Sequence, residues 1–429
     1  MIPMQKIILM KADETVPERE NSLLTPFFIK MCIPLGLAHF LSLMIGSANS
    51  ILAPVLIKEF SLSPANLGFM SSLFLITHAS AQIPLGIFLD KFGAKKTHMP
   101  MLVLAGAGTI LFGLAHSYWV LVIARIMIGV GFSGSMITAF KAYTEWVAKE
   151  RLAFVFSLQC LVGGLGLMFA TKPIAFALDI ISWRMLYVGF GALAFLNVLL
   201  IWLFVPSCST STHSDGASFI KTLGATFKVI TDKRFIYVAP LTTATQSLML
   251  AYVFLWMGPW FSDIAKFSIE TTGFWMCIVT AASAAGYLFS GVWADLFLRR
   301  GWMSWERFYY CSGVGFTICL LVITLLHNSY AAPFWAMLML FATLEMIAFS
   351  ITSKIFDSHE VGRALALLNF IIEAFSFAVQ WFIGILLGLF PVINGHFSAV
   401  GYRTGLAIML VLSIAAVLHL RANLIKRGL

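Results

Sequence analysis

The chain has 429 residues and a formal net charge of +9; 60% of it is hydrophobic and 11% charged, with a mean hydropathy of +0.92. No water-soluble core of this length could hide so much apolar surface, so the composition excludes a soluble enzyme or binding module and puts the chain in lipid. Cys32, Cys160, Cys208, Cys277, Cys311 and Cys319 form no C-x-x-C pair and mostly fall in apolar runs, so they read as small fillers without disulfide or metal significance.

Residues 1–29 mix Lys6, Lys11, Asp13, Glu14, Glu18, Arg19 and Glu20 with one short apolar run, Ile7–Met10, and so lack the apolar core of a signal peptide. They are expected to remain as a cytosolic tail. A bilayer asks about 20 apolar residues of a spanning helix. Twelve such stretches follow, near 30–57, 66–89, 99–117, 119–142, 152–176, 184–205, 236–261, 271–294, 305–327, 333–353, 364–389 and 403–421. Each is too long and too continuously apolar for a barrel strand. Between the sixth and seventh lies the polar stretch Pro206–Gly216, followed by Phe219, Leu223 and Phe227 at helical spacing beside Lys221, Lys228, Lys233 and Arg234. That pattern predicts an amphipathic helix over 217–231 on the inner leaflet. The expected organisation is a tail (1–29), a six-helix bundle (30–205), a linker (206–235), a second six-helix bundle (236–421) and a C-terminal tail (422–429). The fold class is all-α and integral to the membrane, with twelve helices in two pseudo-symmetric bundles.

Loop charge gives the orientation. The side holding both termini and the loop at Lys91–Lys96 carries 21 of the 28 basic residues; the opposite loops carry only Lys58, Arg184, Lys266 and Arg403. The crowded side is cytosolic by the positive-inside rule, and a bacterial inner membrane is the expected location. Because the positive charge is spread over loops facing anionic lipid, it calls for no nucleic-acid partner.

The loop after the second stretch, Gly86-Ile-Phe-Leu-Asp90-Lys91-Phe-Gly93-Ala-Lys95-Lys96, is echoed after the eighth by Gly291-Val-Trp-Ala-Asp295 and Arg299-Arg300-Gly301. A second echo pairs Lys149-Glu150-Arg151 with Glu360-Val-Gly362-Arg363, and the two offsets are 205 and 212 residues. Two parallel six-span repeats are a common plan among secondary transporters, whose substrate site lies near mid-membrane between the repeats.

These residues resemble the major facilitator superfamily over almost the whole chain. The family's loop signature G-x-x-x-D-[RK]-x-G-x-[KR]-[KR] is matched by Gly86, Asp90, Lys91, Gly93, Lys95 and Lys96. Its fourth-helix pattern R-x-x-x-G-x-G is matched by Arg125, Gly129 and Gly131, and the pair Trp183-Arg184 before the sixth helix is typical. A carboxylate at Asp90 can sit at the N-terminal end of the eleventh helix, which starts on the same face. The resemblance implies that this contact forms when the cytosolic side is shut and breaks when it opens. Lys91 or Lys95 would then pair with Glu145, and Gly291 and Asp295 form a reduced second copy of the gate.

A charge in hydrocarbon costs about 3 kcal/mol or more, so ionisable residues within spans usually face a partner or an aqueous path. Here they are His39, His78, Arg125, Lys141, Glu145, Lys172, Glu345 and Glu373. Asn369, Glu373, Ser376 and Gln380 share one face of the eleventh span; Thr280, Ser283, Tyr287 and Ser290 one face of the eighth; Ser71, His78 and Gln82 line the second. The residues expected to handle substrate or protons are His39, His78, Arg125, Lys172, Gln246, Tyr287, Glu345, Asn369, Glu373 and Gln380, with Glu345 and Glu373 as the proton carriers. The competing reading makes the histidines and carboxylates hydrogen-bonded packing groups and lets Lys172 snorkel to the surface.

Gly129–Gly134 satisfies G-x-G-x-x-G but lies inside an apolar span with no strand before it, so nucleotide binding is not expected. No phosphate-loop lysine, H-E-x-x-H pair or Cys/His cluster occurs, so neither a cofactor nor a metal is expected. The reading is a monomeric, proton-coupled secondary transporter of a small anionic or zwitterionic solute. Its alternatives are a proton-driven exporter of a drug or siderophore-like metabolite and a non-transporting receptor or assembly factor. The paired-Gly and Gly-Pro pattern usual in the fifth span of drug/proton antiporters is replaced by Gly163, Gly164, Gly166 and Pro173, which weakens the multidrug reading. Asp90→Asn is expected to insert normally and transport poorly; normal uptake kinetics in that variant would remove Asp90 from the gate.

Overall fold

The computed structural model describes residues 26–148, 151–206, 224, 228–300, 303–357, 360–392 and 396–426, apart from the side chains of 26–29, 90, 153 and 288–299. The N-terminal tail up to residue 25 lies outside the described residues. So does most of the expected amphipathic helix at 217–231, of which Gly224, Lys228 and the 3-10 turn Val229–Thr231 are described.

All twelve expected spans are helical. Span 1 comprises Pro26–Ser47 and Asn49–Phe60, spans 2 and 3 are the two arms of Pro64–Gly113, and span 4 comprises Tyr118–Phe132 and Ile137–Trp146. Span 5 comprises Leu152–Phe169 and Lys172–Leu178, span 6 is Trp183–Phe204, and span 7 joins Lys233–Ala251 to Met257–Asp263 through the π-helical turn Tyr252–Trp256. Span 8 is Ile269–Arg299, span 9 Trp305–Leu326, span 10 comprises Ala332–Leu344 and Ile347–Ile355, span 11 is Val361–Gly388, and span 12 Ala399–Lys426. Among the described residues, ten stretches are long and apolar enough, by length and composition, to cross a membrane.

The arms of Pro64–Gly113 meet at Gly93, whose φ of 79° and ψ of 168° lie where side chains with a Cβ are strained. That glycine makes the turn on the face carrying Lys91, Lys95 and Lys96, called here the basic face. Gly86, which opens the same motif, has open space where a Cβ would point.

The first helix of every three (spans 1, 4, 7 and 10) is interrupted near its middle. The apolar runs hide this, because breaks are made by short polar residues that turn back on the helix. Ser47 Oγ donates to Leu43 O at 2.7 Å in span 1; Ser133 Oγ to Val130 O at 2.8 Å and Ser135 Oγ to Phe132 O at 2.7 Å in span 4. In span 10 the break falls at Glu345 and Met346, whose N–H groups turn to Ala342 O and Thr343 O.

Spans 1–6 and 7–12 meet along three seams: span 2 with 11, span 5 with 8, and span 1 with 7. The last seam seals the face opposite the basic one. Ser50 Oγ donates to Leu255 O at 2.9 Å and accepts from Gly258 N at 2.9 Å. A Cβ on Gly258 would stand 1.9 Å from Ser50 O, so the two backbones close only around a glycine. Phe254 packs beside it on Phe74, with ring centroids 5.6 Å apart. Gly258→Ala is therefore expected to lower the thermal unfolding midpoint, at a cost of about 1–3 kcal/mol for overpacking. Gly86→Ala, exposed on a helix, is expected to leave the midpoint unchanged or raise it, by about 0.4–1 kcal/mol; differential scanning fluorimetry of the two variants checks both signs.

Candidate functional site

Half-way through span 2, 14 residues or about 21 Å of helix from Pro64, His78 faces span 11. Its Nδ1 lies 2.8 Å from Glu373 Oε2, and the two side chains are 18% and 12% exposed. Gln82, one helical turn on, brings Nε2 within 3.2 Å of the same Nδ1 and accepts from Asn369 Nδ2 at 2.9 Å. Asn369 Nδ2 also donates to Glu373 Oε1 at 3.0 Å. The four side chains thus close a polar network at mid-depth, two from each bundle. Phe74 stacks on His78, with centroids 5.5 Å apart, and walls the network off from the sealed face. His78 Nδ1 cannot donate to Glu373 and accept from Gln82 at once, so the network has two proton arrangements.

Arg125 does not belong to this network. It is fully buried within the first bundle, donating to Ile45 O at 3.2 Å, to Tyr187 Oη at 3.0 Å and to Asn49 Oδ1, with its guanidinium 4.6 Å from the centre of the Phe112 ring. Asn49 passes the contact on to Ser71 Oγ at 2.8 Å. One permanent cation thereby ties spans 1, 2, 3, 4 and 6 together, and it takes the carbonyl freed by the break in span 1. Among the described residues it has no carboxylate partner.

Glu345 is the buried ionisable group of the corresponding span in the second bundle. It is fully buried at the break of span 10, where Thr245 Oγ1 donates to Oε2 while Oε1 has no partner. Gln246 Nε2 holds Ala342 O just before the break, and Tyr309 Oη donates to Val238 O at 2.8 Å while accepting from Thr242 N at 2.9 Å. Arg125 and Glu345 each serve their own bundle and do not meet.

Of the remaining expected site residues, His39 is buried against Gly163 of span 5 and lies close enough to His78 to interact with it electrostatically. Tyr287 of span 8 lies close enough to Cys160 of span 5 to interact with it electrostatically. Gln380 is fully buried with neither amide atom partnered, while its carbonyl accepts from Trp256 Nε1 at 2.8 Å. Lys172 is exposed at the opposite face, its Nζ 6.0 Å from the Phe274 ring centre.

In the gate motif, Lys95 Nζ donates to Trp202 O at 2.7 Å, capping span 6, and Lys91 lies 5.2 Å over the Phe92 ring. Lys96 is exposed, and Glu145 is half-buried and engaged. The side chain of Asp90 and the surroundings of Gly291 and Asp295 lie outside the described residues.

Sequence reasoning missed a clamp on the basic face. Arg234, opening span 7, donates to Asp232 Oδ2 and Glu360 Oε2 at 2.9 Å each and to Ile355 O at 3.3 Å, over the Phe356 ring at 4.3 Å. It joins spans 7, 10 and 11, and its hydrogen bonds hold the Asp232 carboxyl below the usual range. A Lys/Arg-rich linker predicts charge here but not which acid it meets.

Two bundles joined at a mid-depth polar network and sealed on one face define a multi-pass integral membrane protein. The description "Major Facilitator Superfamily" matches residues 35–379, and the chain belongs to that family. It is 29% identical over 178 residues to a probable sulfoacetate transporter of Cupriavidus necator, a match covering 42% of this chain and 41% of that protein's length. It is 21% identical over 341 residues to a D-galactonate transporter of Escherichia coli O6:H1, covering 70% and 78%. A bacterial homologue of the human lysosomal transporter Spinster, solved inward-facing and occupied, superposes with a TM-score of 0.72 at 16% identity, covering 93% of this chain and 97% of the other.

Arg125→Lys loses the planar fork and the ring contact and is expected to cost about 1.5–3 kcal/mol in stability. Lys172→Met is expected to leave the unfolding midpoint unchanged; thermal unfolding in one detergent compares them.

Proposed function

We propose that the chain is a proton-coupled secondary transporter of a small organic anion, rocking its two bundles about a mid-depth site with the basic face in the cytosol. The observation that carries the reading is the His78–Glu373 pair, which joins the two bundles where alternating access requires a contact that can be made and broken. With Glu373 ionised, His78 Nδ1–H donates to it and the seam between spans 2 and 11 is held by charge-assisted hydrogen bonding. A second proton neutralises Glu373, leaves Asn369 and Gln82 to carry the contact, and loosens the seam so that span 2 can swing away from span 11. Coupling follows because the pair binds its protons from whichever side the cavity faces.

An anionic substrate is supported by the two relatives, one named for sulfoacetate and the other for D-galactonate. The seal at Ser50 and Gly258, together with the inward-facing likeness, supports a state open toward the basic face.

Glu373→Gln and His78→Gln are expected to keep substrate exchange between the two sides of a proteoliposome. Both are expected to lose accumulation driven by a pH gradient, by about tenfold or more. The assay is run against sulfonates, sugar acids, amino acids and nucleosides. Undiminished pH-driven accumulation in both variants would sink the coupling role.

A further inference from the structure

Each bundle carries a similar device on the sealed face, and the two copies differ in the cation that meets the carboxylate. In the first bundle, Glu59 in the last turn of span 1 accepts from Trp183 Nε1 at 2.7 Å and Arg184 Nη2 at 2.5 Å. Trp183 and Arg184 open span 6, and Arg184 Nη1 also donates to Gly113 O at 3.0 Å and Ala115 O at 2.6 Å, at the end of span 3. In the second bundle, Asp263 ends span 7, 204 residues beyond Glu59. It accepts from Tyr402 Oη at 3.1 Å and Phe397 N at 3.2 Å. Tyr402 and Arg403 stand in the first turns of span 12, and Arg403 Nε donates to Thr324 O at 3.2 Å, near the end of span 9. In both copies a carboxylate ending the first helix accepts from the aromatic member of an aromatic-arginine pair opening the last helix, and the arginine caps the third.

The cation on the carboxylate is what changes. Glu59 has Arg184, which is always charged. Asp263 has His396 instead, with Nδ1 2.7 Å from Oδ1; the imidazole is 46% exposed and the carboxylate 7%. A histidine gains and loses charge between about pH 5 and 8. The other titratable or charged groups around this copy are Tyr402 and, behind it, Tyr252; Arg403 on span 12; His327, whose Nε2 lies 2.8 Å from Ala399 O at the end of span 9; and Lys266 in the loop leaving span 7.

We infer that Asp263 and His396 form a proton-binding site on the face opposite the basic loops, separate from the His78–Glu373 network, that tightens the cap of the second bundle when that side is acidic. The protonated imidazole gives Asp263 a charged partner and holds the segment through Phe397 and Tyr402; as pH rises through the imidazole range that contribution is lost. Phe397 is buried with its ring 6.1 Å from that of Trp256, in the π-helical turn between the Gln380 carbonyl and the Ser50–Gly258 seal. The cap therefore bears on the seal between the bundles.

Hydrogen exchange of the full chain in nanodiscs, without substrate, at about pH 5.5 and about pH 8 and corrected for intrinsic exchange, tests this. Protection of residues 397–403 is expected to be greater in acid, by at most about tenfold per pH unit for one proton. His396→Arg is expected to show the acid level at both pH values and His396→Gln the alkaline level at both. Arg184→His is expected to transfer acid dependence to the start of span 6. Equal protection at both pH values in the unmodified chain, or an acid gain surviving in His396→Gln, would overturn the inference. Neither outcome depends on transport, so failure here is distinct from failure of the coupling role.

Discussion

Hydrocarbon offers no hydrogen bonds, and this constraint organises the structure. A helix interrupted in a membrane exposes carbonyls that must be met from within the protein, and four of the twelve spans are interrupted as the first of their triplet. The buried polar side chains are found where those carbonyls are. Arg125 takes Ile45 O, Gln246 takes Ala342 O and Ser50 takes Leu255 O. Much of the buried polarity in this apolar chain is thus the completion of broken helices, which leaves a smaller set free to act.

That division separates residues which look equivalent as intramembrane charges. Arg125 and Glu345 are both fully buried, each within one bundle; Arg125 holds a carbonyl at the break of span 1, and Glu345 sits at the break of span 10. His78 and Glu373 are only partly buried and lie on opposite bundles, so their contact changes whenever the bundles move relative to each other. A group that braces one rigid body keeps its partners when the two bodies move; a group that bridges both cannot.

The twelve spans were legible because about 20 apolar residues in a row admit no other solution in a bilayer. The turn at Gly93 was legible too, since the motif places a glycine where the backbone must reverse. The polar stripes placed His78 and Gln82 on one face of span 2 and Asn369 and Glu373 on one face of span 11, but not against each other. That juxtaposition depends on the relative rotation of two helices nearly 300 residues apart in the chain, about which neither helix carries information. Arg125 and Lys172 show the complementary loss: both are cations in or near apolar runs, yet one is sealed inside five spans and the other exposed at a helix end. Depth along a span can be counted, whereas facing depends on neighbours. The Arg234 clamp was hidden for another reason, since basic residues are expected at that interface and one that grips two acids looks like any other.

Lys95 on the carbonyl of Trp202 completes a frame around the first bundle. At the far face Arg184 binds the end of span 3 to the start of span 6, and at the near face Lys95 binds the start of span 3 to the end of span 6. Pinned at both ends, spans 3 and 6 form a truss, and span 2 is joined to it at Gly93 and again at mid-depth, where Ser71 meets Asn49 on Arg125. Any force that would part span 2 from span 11 is delivered to those joints, and the choice there is to bend the hairpin or tilt the whole truss. With both ends pinned and a second joint at mid-depth, tilting the truss breaks fewer contacts than bending the hairpin.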